Sequence, residues 1–180
     1  DRAAGTLQLR APPRRPRLAY VSPLPPERSG IADYSAELLP ELARHYDIEV
    51  VVNQSEIDDS WIRANVPVRS AQWFDQNADA YDRVLYHFGN SAFHSHMFGL
   101  LERHPGVVVL HDFFLSGVLA HMERTQHAPG AWSKALFDSH GYRAVSERFA
   151  TRDPTEMVFK YPANLDVLRQ ADGIVVHSEF

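Results

Sequence analysis

The stretch Pro105-Gly-Val-Val-Val-Leu-His-Asp112 carries the clearest structural signal in the chain. Its Pro-Gly pair ends any helix that precedes it, its valine-rich run is typical of a buried strand, and polar side chains follow the run at once. Similar short apolar runs recur along the chain, separated by amphipathic segments of helix length. This alternation indicates a parallel sheet covered by helices. The predicted strands span residues 18–22, 48–52, 66–69, 83–87, 107–110 and 173–177.

The helical segments complete the predicted fold class. A helix is predicted over 31–45, and Pro40 is expected to kink or restart it because proline lacks an N–H donor. A second helix is predicted over 91–104, with Ser91 as its N-cap. We expect an α/β fold with a doubly wound, mostly parallel, Rossmann-like sheet. A helical insertion should precede the last strand, with segments 113–124, 131–149 and 155–170.

Composition limits the classes of protein that fit. The chain has 180 residues, 44% of them apolar, which is enough to bury the core of one sizeable domain. Its net charge of −5 does not favour general binding to nucleic acid. It has no cysteine for disulfide or thiol chemistry, and no apolar run approaches the ~18 residues that span a bilayer. These features are typical of a cytoplasmic domain.

The first 16 residues differ from the rest of the chain. They are rich in arginine and proline, which predicts an extended linker, so the domain is assigned to residues 17–180. The alternative for this basic arm is a peripheral contact with anionic lipid headgroups of the inner membrane. Because the sequence opens at Asp1 rather than Met and stops at Phe180 directly after a predicted strand, we expect a piece of a longer protein.

The loop after the first strand contains a candidate anion site. Ligands of doubly wound sheets bind outside the carboxyl ends of the strands. Ser29 and Gly30 open the following helix, where unpaired N–H groups and the helix dipole favour phosphate. The loop matches neither the Gly-x-Gly-x-x-Gly fingerprint nor the Walker loop, which disfavours a dinucleotide-dependent dehydrogenase. The alternative is that Gly30 is a turn residue with no role in ligand binding.

Two histidines leave neighbouring strands at the same predicted edge. His87 comes at the end of the fourth strand and His111 follows the fifth, so both can face one cleft and exchange protons or bind hydroxyls. Each histidine has a purely structural alternative, in which a nearby carbonyl satisfies its ring. His94 and His96 are two apart on a predicted helix and diverge, so we predict no metal site.

Ser178 and Glu179 follow the last predicted strand and are expected to contribute to ligand binding at the same edge. The alternative is that Ser178 caps the next helix of a longer chain. A serine-hydrolase site is disfavoured because no Gly-x-Ser-x-Gly elbow is present.

Five segments, in this order and spacing, resemble the N-terminal half of family 4 glycosyltransferases, the retaining group built on the GT-B fold. The resemblance covers about residues 17–180. The matching segments are Ser22-Pro-Leu-Pro-Pro-Glu-Arg-Ser-Gly-Ile-Ala-Asp-Tyr34, Leu38-Leu-Pro-Glu-Leu42, Tyr86-His-Phe-Gly-Asn90, His104-Pro-Gly-Val-Val-Val-Leu-His-Asp112 and Ala171-Asp-Gly-Ile-Val-Val-His-Ser178.

The resemblance implies a hexosyltransferase in which a nucleotide diphosphate sugar is the co-substrate and a glycan or lipid-linked saccharide is the acceptor. It places Ser29 and Gly30 near the donor diphosphate and His111 beside the transferred sugar, with no further cofactor. It also implies that this half-domain is inactive without a second half, which carries basic residues and a Glu-x7-Glu pair. The residues implied to line the acceptor site are His87, Asn90 and Asp112.

Two alternatives remain open from the sequence. One is a non-catalytic Rossmann-like module that binds a nucleotide or a protein partner. The other is one half of a sugar-nucleotide epimerase, which shares the two-half architecture. Glu41 and Glu49 have the spacing of paired glutamates, but they fall in a helix end and a strand, so we interpret their spacing as a coincidence.

Overall fold

The protein has an α/β fold around one parallel sheet of six strands, as the sequence predicts. A computed structural model describes residues 14–177. The strand order is β3-β2-β1-β4-β5-β6, and all five neighbouring pairs are parallel. All six predicted strands are present with ends shifted by at most two residues. They are β1 (Arg17–Val21), β2 (Asp47–Val52), β3 (Val68–Ser70), β4 (Arg83–Phe88), β5 (Val107–Leu110) and β6 (Gly173–Val175).

Helices connect the strands, and most of them follow the predicted pattern. The predicted helical insertion between β5 and β6 is confirmed. It contains four helices and not the three predicted segments, because the last segment is interrupted at Pro162 and at Ala163, where φ is 53°. Within α6, Gly141 adopts a non-helical conformation with φ 75°. The helices are α1 (Gly30–Leu42), α2 (Ser60–Asn65), α3 (Ala71–Asn77), α4 (Ser95–Arg103), α5 (Ser116–Arg124), α6 (Ala131–Ala150), α7 (Thr155–Lys160) and α8 (Leu165–Gln170).

Two local predictions were wrong: that Pro40 restarts its helix, and that Ser91 caps the helix after β4. Pro40 lies inside α1 and does not restart it, because the helix ends two residues later and only the carbonyl of Ala36 loses a helical donor. Ser91 does not cap α4, which begins at Ser95 after a 3-10 turn over Ala92–His94. The Ser91 hydroxyl bonds the His94 ring at 3.0 Å instead of a backbone N–H.

The sheet is covered on both faces by separate apolar cores. On one face α1 and α2 pack against β1 and β2, with Tyr20, Leu39 and Ile62 fully buried. On the other face the remaining helices pack a larger core that includes Phe74 and Phe88. The strand order reverses between β1 and β4, since β1 pairs with β2 on one side and β4 on the other. Ligands of doubly wound sheets bind at the carboxyl edge beside this reversal.

The end of the basic arm is attached to the domain. Arg14 pairs with Asp82 at 2.9 Å, and the Arg15 guanidinium donates to the Ala43 carbonyl at 2.7 Å. The rest of the predicted linker, residues 1–13, lies outside the described residues. No helix in the described part of the chain is both long enough and apolar enough to cross a bilayer.

Candidate functional site

Three histidines line up across neighbouring strands at the carboxyl edge of the sheet. His87 of β4 is in register with Val109 of β5, which is in register with Val175 of β6. His111 and His177 lie two residues beyond those partners. Because side chains alternate along a strand, residues two apart share a face of the sheet. The three histidines, at or just beyond the ends of β4, β5 and β6, therefore lie on the same face. We call these three residues the histidine row.

The histidine row is joined by hydrogen bonds between imidazole rings. His87 Nδ1 lies 2.9 Å from His111 Nε2, and His111 Nδ1 lies 3.1 Å from His177 Nε2. The first pair confirms the predicted convergence of His87 and His111. Exposure increases along the row, since His87 is fully buried, His111 is half-buried and His177 is exposed.

The two inner histidines are neutral near pH 7. Burial lowers the pKa of His87 to about 3, and burial together with the neighbouring His177 lowers the pKa of His111 to about 4. A neutral imidazole carries one N–H, so His111 donates one of its two hydrogen bonds and accepts the other. The hydrogen bonds of the row therefore all run in one direction along it.

Tyr34 of α1 packs over the outer part of the histidine row. Its ring centroid lies 5.0 Å from that of His111 and 5.3 Å from that of His177, both in edge-on orientation. Tyr34 is partly exposed, at 37%. Beneath the inner end, Tyr20 of β1 contacts the His87 ring at 4.5 Å between centroids. The row therefore has an aromatic wall on the α1 side.

Ser29 and Gly30 lie at the start of α1, one helical turn before Tyr34. The Ser29 hydroxyl accepts from the Ile31 N–H at 3.3 Å and so caps the helix. The Gly30 N–H makes no hydrogen bond among residues 14–177, and a Cβ added at Gly30 would meet nothing within 4 Å. Positions i and i+4 share a helix face, so Tyr34 links the Gly30 end of α1 to the histidine row.

Gly89 holds the end of β4 against α1. A Cβ at this position would lie 2.3 Å from Cδ1 of Ile31 and 2.9 Å from Cε1 of His94. His94 is itself buried, and burial lowers its pKa. Because only glycine fits here, the start of α1 is held close to the strand that carries His87.

Asn90 and Asp112 are tied into the framework beside the histidine row. Asp112 Oδ2 accepts from the Asn90 N–H at 2.7 Å, and Asn90 Oδ1 accepts from the Val118 N–H at 3.0 Å. A Cβ at Gly117 would lie 2.6 Å from Asn90 Oδ1. The Asn90 side chain thus caps the first turn of α5, while the Asp112 side chain remains exposed at the edge.

The other predicted site residues and cavities lie elsewhere. Ser178 and Glu179 fall outside the described residues. A cavity of about 630 Å³ lies among the helices on the opposite face, lined by residues that include Phe98 and Lys134 and none of the histidine row. Among residues 14–177, no three His, Cys, Asp or Glu side chains are arranged to hold a metal ion.

Sequence reasoning missed two members of this site. The sequence predicts His177 as the last residue of the final strand, but β6 ends at Val175 and leaves His177 beyond the edge. Tyr34 falls in the helix predicted over 31–45 but is not among the predicted site residues, although it is partly exposed over the row. The available signal for His177 is that it ends the apolar run Ile174-Val-Val-His177 in the way that His111 follows Val107-Val-Val-Leu110.

Comparison of the chain with protein-family models, with curated proteins and with solved structures found no match.

Proposed function

We propose that the chain is the acceptor-side part of a retaining hexosyltransferase, which uses a nucleotide diphosphate sugar and a glycan or lipid-linked saccharide. The observation that carries the proposal is the histidine row, which joins three strand ends beside the point where the strand order reverses. The order and spacing of the strand-end segments support the same function.

The chemistry of the row suits a sugar. Neutral imidazoles donate and accept hydrogen bonds without a net charge, and this matches hydroxyl groups, which do both. Tyr34 adds an aromatic surface beside His111 and His177. In this proposal the row, with His111 at its centre, orients the reacting sugar and does not act as a nucleophile.

The start of α1 suits the diphosphate of the donor. The Gly30 N–H is open at the positive end of the helix dipole, where an anion is stabilised. Two carboxylates, Glu27 and Asp33, line the same depression of about 450 Å³, together with Arg28. Since these carboxylates oppose an anion, we propose that cations from another part of the enzyme complete the neutralisation of the leaving group.

Calorimetry on the 180-residue chain tests this function. We expect binding heat with at least one of UDP-glucose, GDP-mannose and maltotriose. Chain that is folded by circular dichroism but gives no heat with any of the three would contradict the proposal. Equal affinity for UDP and UDP-glucose, with none for maltotriose, would instead support a nucleotide-binding module.

A further inference from the structure

His111 has no ring nitrogen left for a substrate. Its Nε2 is bonded to His87 at 2.9 Å and its Nδ1 is bonded to His177 at 3.1 Å. An imidazole has two hydrogen-bonding nitrogens, so a sugar hydroxyl could bond His111 only by displacing a neighbouring ring. The inner bond lies against a fully buried His87, which makes that displacement costly.

His177 has the opposite arrangement at the outer end of the row. Its Nε2 is used by His111, whereas its Nδ1 makes no hydrogen bond with any group between residues 14 and 177. The residue is exposed, and the Tyr34 ring stands 5.3 Å from its own ring centroid. Among the described members of the row, it is therefore the one that presents an open nitrogen to solvent.

We propose that His177 is the residue of the histidine row that bonds a sugar hydroxyl, and that His111 is a positioning residue which acts through His177. This assignment rests on the hexosyltransferase function proposed above. It moves the sugar contact from His111, where the resemblance places it, to the next strand.

The direction of the hydrogen bonds sets how His177 meets a hydroxyl. When His87 donates to His111 and His111 donates to His177, the His177 Nδ1 carries the proton and donates to a sugar oxygen. When the direction is reversed, Nδ1 accepts from a sugar O–H and the proton of His87 moves to its buried Nε2, which has no partner among the described residues. Both arrangements leave Nδ1 of His177 facing the ligand, and a hydroxyl can serve either one because it both donates and accepts hydrogen bonds.

Calorimetry with UDP-glucose, GDP-mannose and maltotriose on substituted chains tests the assignment. We expect His177→Ala to weaken binding about tenfold, the effect of losing one hydrogen bond to the ligand. His177→Gln keeps a polar group of similar reach that donates and accepts, and it should remain within about threefold of the original chain. His45→Gln, an exposed change outside the row, is the matched control and should bind like the original chain.

A double-mutant cycle then separates contact from positioning. If His111 acts through His177, the chain with both His111→Ala and His177→Ala binds no more weakly than His177→Ala alone. Additive losses would overturn the assignment and return the sugar contact to His111, with His111→Asn as a second variant if the alanine chain does not fold. Absence of binding by the original chain would overturn the proposed function and this role together, whereas additive losses would leave the function standing.

Discussion

The polar side chains at the two edges of the sheet differ in charge and in how fully they are hydrogen-bonded. At the amino edge, the Glu49 carboxylate is largely buried and accepts from Arg17 at 3.0 Å, from Arg69 at 2.6 Å and from the Tyr81 hydroxyl at 3.0 Å. Burial raises the pKa of Glu49, but the bonds from Arg69, Arg17 and Tyr81 outweigh it and hold this pKa below its usual value. At the carboxyl edge, His87 and His111 are neutral near pH 7 because burial lowers the pKa of each. The outer ring nitrogen of His177 makes no hydrogen bond with residues 14–177.

This difference separates a structural cluster from a candidate binding site. A buried charge that has all its partners stabilises one conformation and leaves nothing for a ligand. Burying a neutral imidazole costs less free energy than burying a charged group. A ring nitrogen without a partner, at the end of a row of fixed rings, can bind a ligand. We therefore expect changes at the amino edge to alter stability without altering sugar binding, and changes at the outer carboxyl edge to do the reverse.

The largest expected effect is at Glu49. Glu49→Ala removes the acceptor shared by the Arg17 and Arg69 guanidinium groups and the Tyr81 hydroxyl, and should lower the free energy of unfolding by about 3 kcal/mol. Arg17 keeps one bond, to the Ala80 carbonyl at 2.9 Å. Urea unfolding followed by circular dichroism measures this, with the exposed change Glu37→Ala as a control that should stay within about 0.5 kcal/mol. A loss below about 1 kcal/mol would show that the amino-edge cluster is not structural.

A pH series should distinguish the two edges. Because the pKa of His87 is lowered to about 3, the folded state keeps this histidine neutral while the unfolded state takes up a proton below about pH 6.5. Lowering the pH from 7 to 5 should therefore cost about 2 kcal/mol of stability through His87. The stability that Glu49 contributes is lost at lower pH. Because the pKa of its carboxylate is lowered in the folded state, this stability decreases only as the pH falls below about 4.5.

Substitution of His87 checks the source of that loss. His87→Gln should make the loss between pH 7 and pH 5 smaller by about 2 kcal/mol, because glutamine does not titrate. His45→Gln removes an exposed histidine and should leave the loss unchanged. An unchanged loss in His87→Gln would mean that burial does not keep His87 neutral in the folded state.

Two glycines at the carboxyl edge give the smallest effects and a clear contrast. Gly89→Ala places a methyl 2.3 Å from Ile31 and 2.9 Å from the buried His94 ring, and should cost about 1.5 kcal/mol. Gly30→Ala meets open space at the start of a helix and should change stability by less than about 0.5 kcal/mol. Thermal unfolding of both variants tests this, and equal losses would show that the start of α1 is not open.

The sequence predicts most of the sheet because its four central strands, β2, β1, β4 and β5, are mostly buried. Such strands appear as short valine-rich runs, and Val107–Leu110 agrees with its prediction at both ends. The short helices α2 and α3 carry no comparable signal, since six or seven residues hold fewer than two full helical turns. The predicted restart at Pro40 does not occur, because the free-energy cost of a proline in a helix depends on its distance from the helix end and α1 ends two residues later.

The candidate site is only half predictable for a different reason. The carboxyl-edge rule brings His87 and His111 to one edge, but the ring contact depends on the pairing of Phe88 with Leu110, which joins residues 22 apart in the chain. His177 escapes prediction because the end of β6 is set by pairing with β5 and not by its own apolar run. Local pattern therefore predicts which elements carry the site, while strand register determines which side chains meet.

The most direct test is a long-range proton–nitrogen NMR titration of the chain labelled with ¹⁵N-histidine. We expect His87 and His111 to remain neutral at pH 6, because burial places their pKa values at about 3 and about 4. We also expect the ring nitrogen shifts of His111 to change in His177→Ala, since that substitution removes one of its two hydrogen bonds. A His111 that titrates near pH 6.5 and is unaffected by His177→Ala would contradict the hydrogen-bonded histidine row.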